Sequence, residues 1–468
     1  MIGDLYAMPL PSGYGACQVT GDGVVCLLDW HGDELPGVAD LAAAGPMLPS
    51  HHAHDGTWPC CVRVTGPAPH QLIPVGNGPV AGGRPTATDS YSGWEHLGCQ
   101  LALQRRWDHL LPAEVKDAYR RLEPARPVAV DFGAGPATIP GGTNPLDLTG
   151  AGPVRVPENG PVSWQALDAL MSTAVVWAGP DRGFSAALAE RPLIGEAFWR
   201  LPPAEVDLAA TALTDVHLGP GVRRLRLPPT TMTCVFADGA GPESVDVLDD
   251  GHWISLCLGG AAPVIPAGLG RVSEVRIETG GTVSVSGLGA LPSLRSLTVK
   301  WRGGPGRLDG AEALTGVRRL HLIGGYGLTA GTLAHLSALR HVEIDGIARP
   351  VARELKAMFG ARVTIRGAKN ENWLRANLNN PFRDWADGHE IGGAQACRAY
   401  AAALRGVARD PAGALRGLVE ALNRIDARYQ MIDTMYREEA AEAFLDLAER
   451  AGVPGDEAGR WFDEWRDF

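Results

Sequence analysis

The sequence predicts a multidomain α+β protein. It has a small antiparallel β-rich N-terminal domain, a solenoid of stacked repeats with parallel strands, and a C-terminal helical bundle. Three observations carry this expectation. Short β-type runs alternate with Gly turns from Asp4 to Leu28, hydrophobic anchors recur at fixed spacing between Val272 and Ile365, and beyond Gly367 the composition turns to Ala and Arg with helical periodicity. At 468 residues the chain is too long for one ordinary core. Its 45% hydrophobic and 20% charged content is that of a soluble globular protein. The net charge of −11, with no basic stripe, argues against a nucleic-acid partner. No charged-then-apolar leader and no long apolar run is present, so neither secretion nor membrane insertion is expected and the cytoplasm is the expected location. The eight cysteines are scattered without the spacing of a disulfide or zinc framework and read as small buried hydrophobes.

Residues 1–125 are read as the first domain. Asp4 to Leu10, Ala16 to Thr20 and Val24 to Leu28 are strands of a meander, turned at Gly13-Tyr14-Gly15 and Gly21-Asp22-Gly23. Cys60 to Val64 is a later strand. Residues 112–122 are helical, with Pro112 in the first turn and Val115, Tyr119 and Leu122 on one face. The opening Gly3-Asp4-Leu5-Tyr6-Ala7-Met8-Pro9-Leu10, followed by Gly13-Tyr14-Gly15 and Gln18-Val19, resembles bacterial immunity protein family 26 of polymorphic toxin systems. That resemblance covers roughly the first hundred residues. It implies a toxin as partner and toxin neutralisation as function.

Residues 126–205 are read as a Gly/Pro-rich linker followed by a helical connector, in which Ser163 caps a helix bearing Trp164, Leu167, Leu170 and Met171. The repeat occupies 206–368. Leu288-x-x-Leu291-x-x-Leu294-x-x-Leu297-x-Val299 aligns with the runs ending in Leu320-x-Leu322 and Val342-x-Ile344, with anchors 23 and 22 residues apart. Val222 to Leu227 and Val245 to Val247 read as degenerate strands of its early part. The pattern resembles leucine-rich repeats, which stack into solenoids that bind macromolecules. Parallel strands are expected at 274–278, 296–300, 319–323 and 341–345. Because side chains alternate along a strand, the residues between the anchors face outward. They are Glu274, Arg276 and Glu278; Ser296, Thr298 and Lys300; Arg319, His321 and Ile323; His341, Glu343 and Asp345. The expected binding residues are Arg276, Lys300, Arg319, His321, His341 and Glu343, with Trp301 and Tyr326 as aromatic anchors past the strands and Arg302 beside them.

Residues 369–468 are read as a helical domain. Asn380 to Trp385 forms a docking loop, and helices span 393–409, 411–427, 433–451 and 455–466. The run Ile425 to Glu439 resembles an uncharacterised actinobacterial helical module. Asp433 and Arg437 are spaced as a helical ion pair worth about 0.2–0.5 kcal/mol, and Glu438 and Glu442 as a like-charge pair. Catalysis by those two glutamates would need a cleft; a solvated or interdomain face is expected instead.

Other chemistry finds little support. Gly133-Ala134-Gly135 lacks the third Gly of a dinucleotide loop and the Lys of a P-loop. His51, His52 and His54 with Cys60 and Cys61 lack workable ligand geometry, so no metal and no cofactor is expected. No nucleophile elbow or zinc-protease motif occurs, and no catalytic residue is assigned. The expected function is non-enzymatic protein binding, with a toxin partner implied by the N-terminal resemblance. A scaffold whose helical module recruits a partner is the alternative, and a hydrolase hidden in the first domain the third reading. The sequence leaves the oligomeric state open.

Overall fold

A computed structural model describes residues 1–10, 13–51, 56–64, 68–69, 71–90, 94–150, 152–236 and 241–468. The chain is mixed α/β, with an antiparallel sheet at the N-terminus, a large parallel sheet and C-terminal helices. Among the described residues no helix is long and apolar enough to cross a membrane.

Among the described residues the largest sheet has eleven strands. Its order runs Val363–Lys369, His341–Ala348, Arg319–Ile323, Ser296–Trp301, Glu274–Thr279, Ser255–Gly259, Thr233–Phe236, Asp215–Leu218, Glu196–Trp199, Ala174–Trp177 and Leu146–Asp147. The four strands expected from the spacing are present, and Arg319–Ile323 pairs in parallel with His341–Ala348. The chain divides into two compact units. The first is Met1–Gly259 with Pro263–Arg276 and Ala290–Ser296; the second is Gly260–Ala262 with Ile277–Gly289 and Leu297–Phe468.

In the first unit the N-terminal meander is a five-stranded antiparallel sheet. Asp4–Pro9, Tyr14–Gly21 and Val24–Gly32 run side by side, with Cys61–Arg63 and Ile73–Asn77 at the edges. Alternation buries Cys17, Val25 and Leu27 under helix Trp94–Arg105, through Leu97 and Leu101. Leu97, Leu101 and the buried Gln104 are spaced for one helical face, a signal that the sequence reading passed over. Helix Ala113–Arg120 forms as expected, with Pro112 at its N-cap rather than inside its first turn.

The Gly/Pro-rich stretch is more ordered than its composition suggests. Pro127–Val130 and Ala137–Pro140 pair as an antiparallel hairpin, and Leu146–Asp147 joins the parallel sheet beside Ala174–Trp177. Trp164 to Ala169 form a 3₁₀ helix, and Ser163 makes no side-chain cap. Trp164, Leu167 and Leu170 recur every third residue, which suits three residues per turn. Leu225 and Val245 do lie on strands, but on a separate parallel sheet of Glu205–Asp207, Arg224–Arg226 and Ser244–Asp246.

In the second unit the anchors Leu297, Val299, Leu320, Leu322, Val342 and Ile344 are all fully buried. Burying each such side chain contributes about 1.5–3 kcal/mol. Helices Glu390–Gly406, Pro411–Tyr429, Thr434–Arg450 and Gly455–Trp465 pack around Leu415, Leu418, Leu422, Phe444 and Leu447. Asp410 and Asp433 cap the second and third, each accepting a backbone N–H at 2.9 Å. Asp433 is thus a cap for Tyr436 N, not a helical partner of Arg437.

Candidate functional site

The row read from the repeat falls in both units. Arg276 lies in the first, where its guanidinium donates to Glu274 at 3.1 Å. Glu274 also faces Ser255 Oγ at 3.2 Å and Gln71 Nε2 at 3.4 Å. Lys300, Arg319, His321, His341 and Glu343 are half-buried positions of the second unit.

Parallel register brings four of these together. Arg319 pairs with His341 and His321 with Glu343; one strand further, Glu343 pairs with Thr364 and Asp345 with Arg366. His321 Nε2 lies 2.8 Å from Asp345 Oδ2. Arg366 Nε donates to Asp345 Oδ1 at 2.7 Å, and its Nη2 donates to Glu343. Burial pushes the Asp345 carboxyl up, but hydrogen bonds from His321 and Arg366 outweigh it and hold the group at about 2. Burial pushes His341 down; Glu343 opposes this, while Arg319 and His321 add to it. Ligand atoms of His321, Glu343 and Asp345 lie within 4.8 Å of one another, a set able to hold a cation. The Arg366 guanidinium already balances both carboxylates there. Arg366 escaped the sequence reading although Val363 and Ile365 were seen as one more anchor pair; the same alternation places it outward.

Two expected anchors are not exposed. Trp301 is 2% exposed, because it shares the parity of Leu297 and Val299 and so turns inward. Gly306 makes room for it: a Cβ there would meet the indole at 2.4 Å. Tyr326 is 6% exposed, covered by the segment read as a docking loop. Its hydroxyl donates to Asp384 at 3.0 Å, Arg383 stacks on its ring at 4.8 Å, and Trp373 lies 6.3 Å away. Ser296, expected to face outward, is 5% exposed. Arg302 stays exposed and is tied to Glu278 at 2.6 Å.

The sequence reading missed a cleft of about 930 Å³ in the second unit. Lys300, Trp301 and Arg302 line one side, and Met435, Glu438, Glu439 and Glu442 of helix Thr434–Arg450 line another. Glu439 accepts from Trp385 Nε1 at 2.6 Å. Burial raises its carboxyl, while that hydrogen bond and the charge of Lys300 oppose the rise. The charge run at Glu438–Glu442 therefore borders a concavity. Nothing in its local spacing announces this, because the opposite wall comes from residues more than a hundred positions earlier.

The His51–Cys61 group, from which no metal is expected, falls only partly within the described residues. His52 and His54 are outside the described residues. His51 is buried, and its backbone N–H and ring Nδ1 both face Gln104 Oε1, at 3.2 and 3.3 Å. Burial, then Cys26, pushes the Cys60 thiol up to about 12; a hydrogen bond with Cys26, then burial, raises Cys61 further.

Comparison with family models and with curated proteins gives no match.

Proposed function

We propose that this chain is a non-enzymatic protein-binding protein, its central part a leucine-rich-repeat solenoid and its recognition surface the outward row of the second unit. One observation carries this reading. Adjacent parallel strands hold Arg319, His321, His341, Glu343, Asp345 and Arg366 half-exposed and in register. A row fixed by backbone pairing loses little freedom on binding, so it is preorganised. Its mixed charges suit a protein surface better than a phosphate track. The N-terminal resemblance makes a toxin effector the first partner to test.

The test compares the full chain with its Arg319→Glu variant in affinity capture, quantified by mass spectrometry. A partner retained by the parent and lost by the variant, at equal unfolding midpoints, supports the reading. Identical capture by both removes the row as the binding surface.

A further inference from the structure

The geometry points to a site for a divalent transition-metal ion of the zinc class at His321, Glu343 and Asp345, where the ion takes over the carboxylates that the Arg366 guanidinium otherwise holds. This goes beyond the protein-binding reading and does not depend on it.

Backbone pairing sets the three donors. His321 on strand Arg319–Ile323 lies directly opposite Glu343 on strand His341–Ala348, and Asp345 follows Glu343 two residues on, along the same face. One ligand atom from each, a ring nitrogen and two carboxylate oxygens, lies within 4.8 Å of the others. An ion about 2.0–2.2 Å from each donor holds the donors roughly 3–4 Å apart, so small side-chain rotations close the set. The ring already turns Nε2 towards this point, 2.8 Å from Asp345 Oδ2. The side chains of His321, Glu343 and Asp345 are only 28%, 14% and 27% exposed, so folding has already removed much of their hydration. Donors fixed and partly dried in advance lose little more when an ion binds.

The donor chemistry selects the ion. Imidazole suits zinc, copper, iron and nickel, whereas magnesium and calcium favour oxygen shells. Calcium takes about six to eight oxygens, and two carboxylates supply too few. The imidazole also separates this set from an acidic patch, which a guanidinium alone would satisfy. With three protein donors, one position stays free for water or for a donor of a partner.

Arg366 is the competitor. Its Nε donates to Asp345 Oδ1 at 2.7 Å, and its Nη2 donates to Glu343. Its side chain is 54% exposed, and ion pairs so open to water hold weakly. It stands on Val363–Lys369, the last strand in the sheet order, so its long stem can swing into solvent and leave the buried anchors in place.

The experiment titrates zinc chloride into the full chain, stripped of metal with a chelator, by calorimetry, and cobalt(II) by visible absorption. One equivalent should bind with a Kd of about 10 µM or tighter. His321→Ala and Glu343→Gln should each weaken that equivalent about tenfold or more, since each removes a ligand. Arg366→Ala should tighten it, the reverse of what loss of a supporting residue does. His54→Ala should leave it unchanged, and excess calcium should not displace the cobalt. Unfolding midpoints measured in chelator check that each variant is folded; Arg366→Ala and His54→Ala keep the test decisive if a ligand variant is not. No saturable binding by about 100 µM zinc, full-strength binding in both ligand variants, or loss in His54→Ala overturns the site. Weaker binding in Arg366→Ala overturns the exchange, and displacement by calcium overturns the class of ion.

Discussion

Strands Thr233–Phe236 and Arg319–Ile323 belong to the same parallel sheet and alternate in the same way, yet their outward faces meet different surroundings. In the first unit the segments where the strands begin are occupied from within the chain. Met232, just before its strand, packs against the Leu97 and Leu101 cluster, and Gly98 admits it so closely that a Cβ there would meet the methionine Cε at 2.2 Å. Cys99 Sγ donates to Asp215 Oδ2 at 3.3 Å. Gln71 reaches Glu274, and Arg106 donates to the Pro192 carbonyl at 3.4 Å. Further along the strands of the second unit, His321, Glu343, Asp345 and Arg366 pair with one another and remain half in water. An outward strand position is therefore not by itself a binding position. What decides is whether another part of the chain has already taken it.

The comparison can be broken at several points. The largest effect is expected where the two faces should not differ, in the core beneath them. Leu320→Ala should cost about 2–5 kcal/mol in denaturant unfolding, and Leu256→Ala in the first unit a similar amount. A loss below about 1 kcal/mol at either would mean that its strand is not packed as described.

Next comes the contrast itself. Met232→Glu places a charge beneath the N-terminal helix and should cost about 2–4 kcal/mol. Ile323→Glu, on the face left open, should cost less than about 1 kcal/mol. Equal losses in urea melts would abolish the distinction between a covered and an open face.

A smaller effect tests the polar cluster. The Asp345 carboxyl is held at about 2, below its unfolded value of about 3.9. A depressed carboxyl favours the fold above its unfolded value, and that contribution is lost as the pH falls from about 4 to about 2. Asp345→Asn should then cost about 1–2 kcal/mol at neutral pH, and its stability should converge with the parent's below about pH 2. A constant offset between the two stability curves across that range would remove the ionic explanation.

The smallest effect is on a rate. Burial, then the Asp215 charge, pushes the Cys99 thiol well above its ordinary range. Alkylation at Cys99 should be slow in the native protein, and Asp215→Asn should speed it by less than about tenfold, because burial dominates. Peptide mapping after brief labelling reads this directly; fast labelling in the parent would show the face uncovered.

Local patterns were the legible part of this molecule. The anchor spacing located the strands at 274, 296, 319 and 341, and alternation placed Arg319, His321, His341 and Glu343 outward. The same rule, applied one residue further, would have turned Trp301 inward and one strand further would have added Arg366. Tyr326 is a different matter. It is buried by Trp373, Arg383 and Asp384, a contact across some fifty residues that no periodicity encodes. The Gly/Pro-rich stretch misled because composition reports backbone permissiveness, whereas its order comes from pairing: Pro127–Val130 with Ala137–Pro140 as a hairpin, and Leu146–Asp147 with the later strand Ala174–Trp177. The cleft was hidden for the same reason: its walls are Lys300–Gly304 and Met435–Asp446.

Arg383 has a consequence for how such a chain can be recombined. Its side chain is almost wholly buried, and its fork ends on main-chain carbonyls at Trp301 and Gly304, which any sequence with that backbone would supply. Lys369 adds a pairing with Asp387 and sits over Trp373 at 4.9 Å. A helical region fastened in this way is not a cassette to be cut at Gly367 and moved to another host. Grafted elsewhere, it would carry a buried guanidinium in search of carbonyls, so only a recipient whose strand ends turn as Trp301 to Gly304 do would accept it.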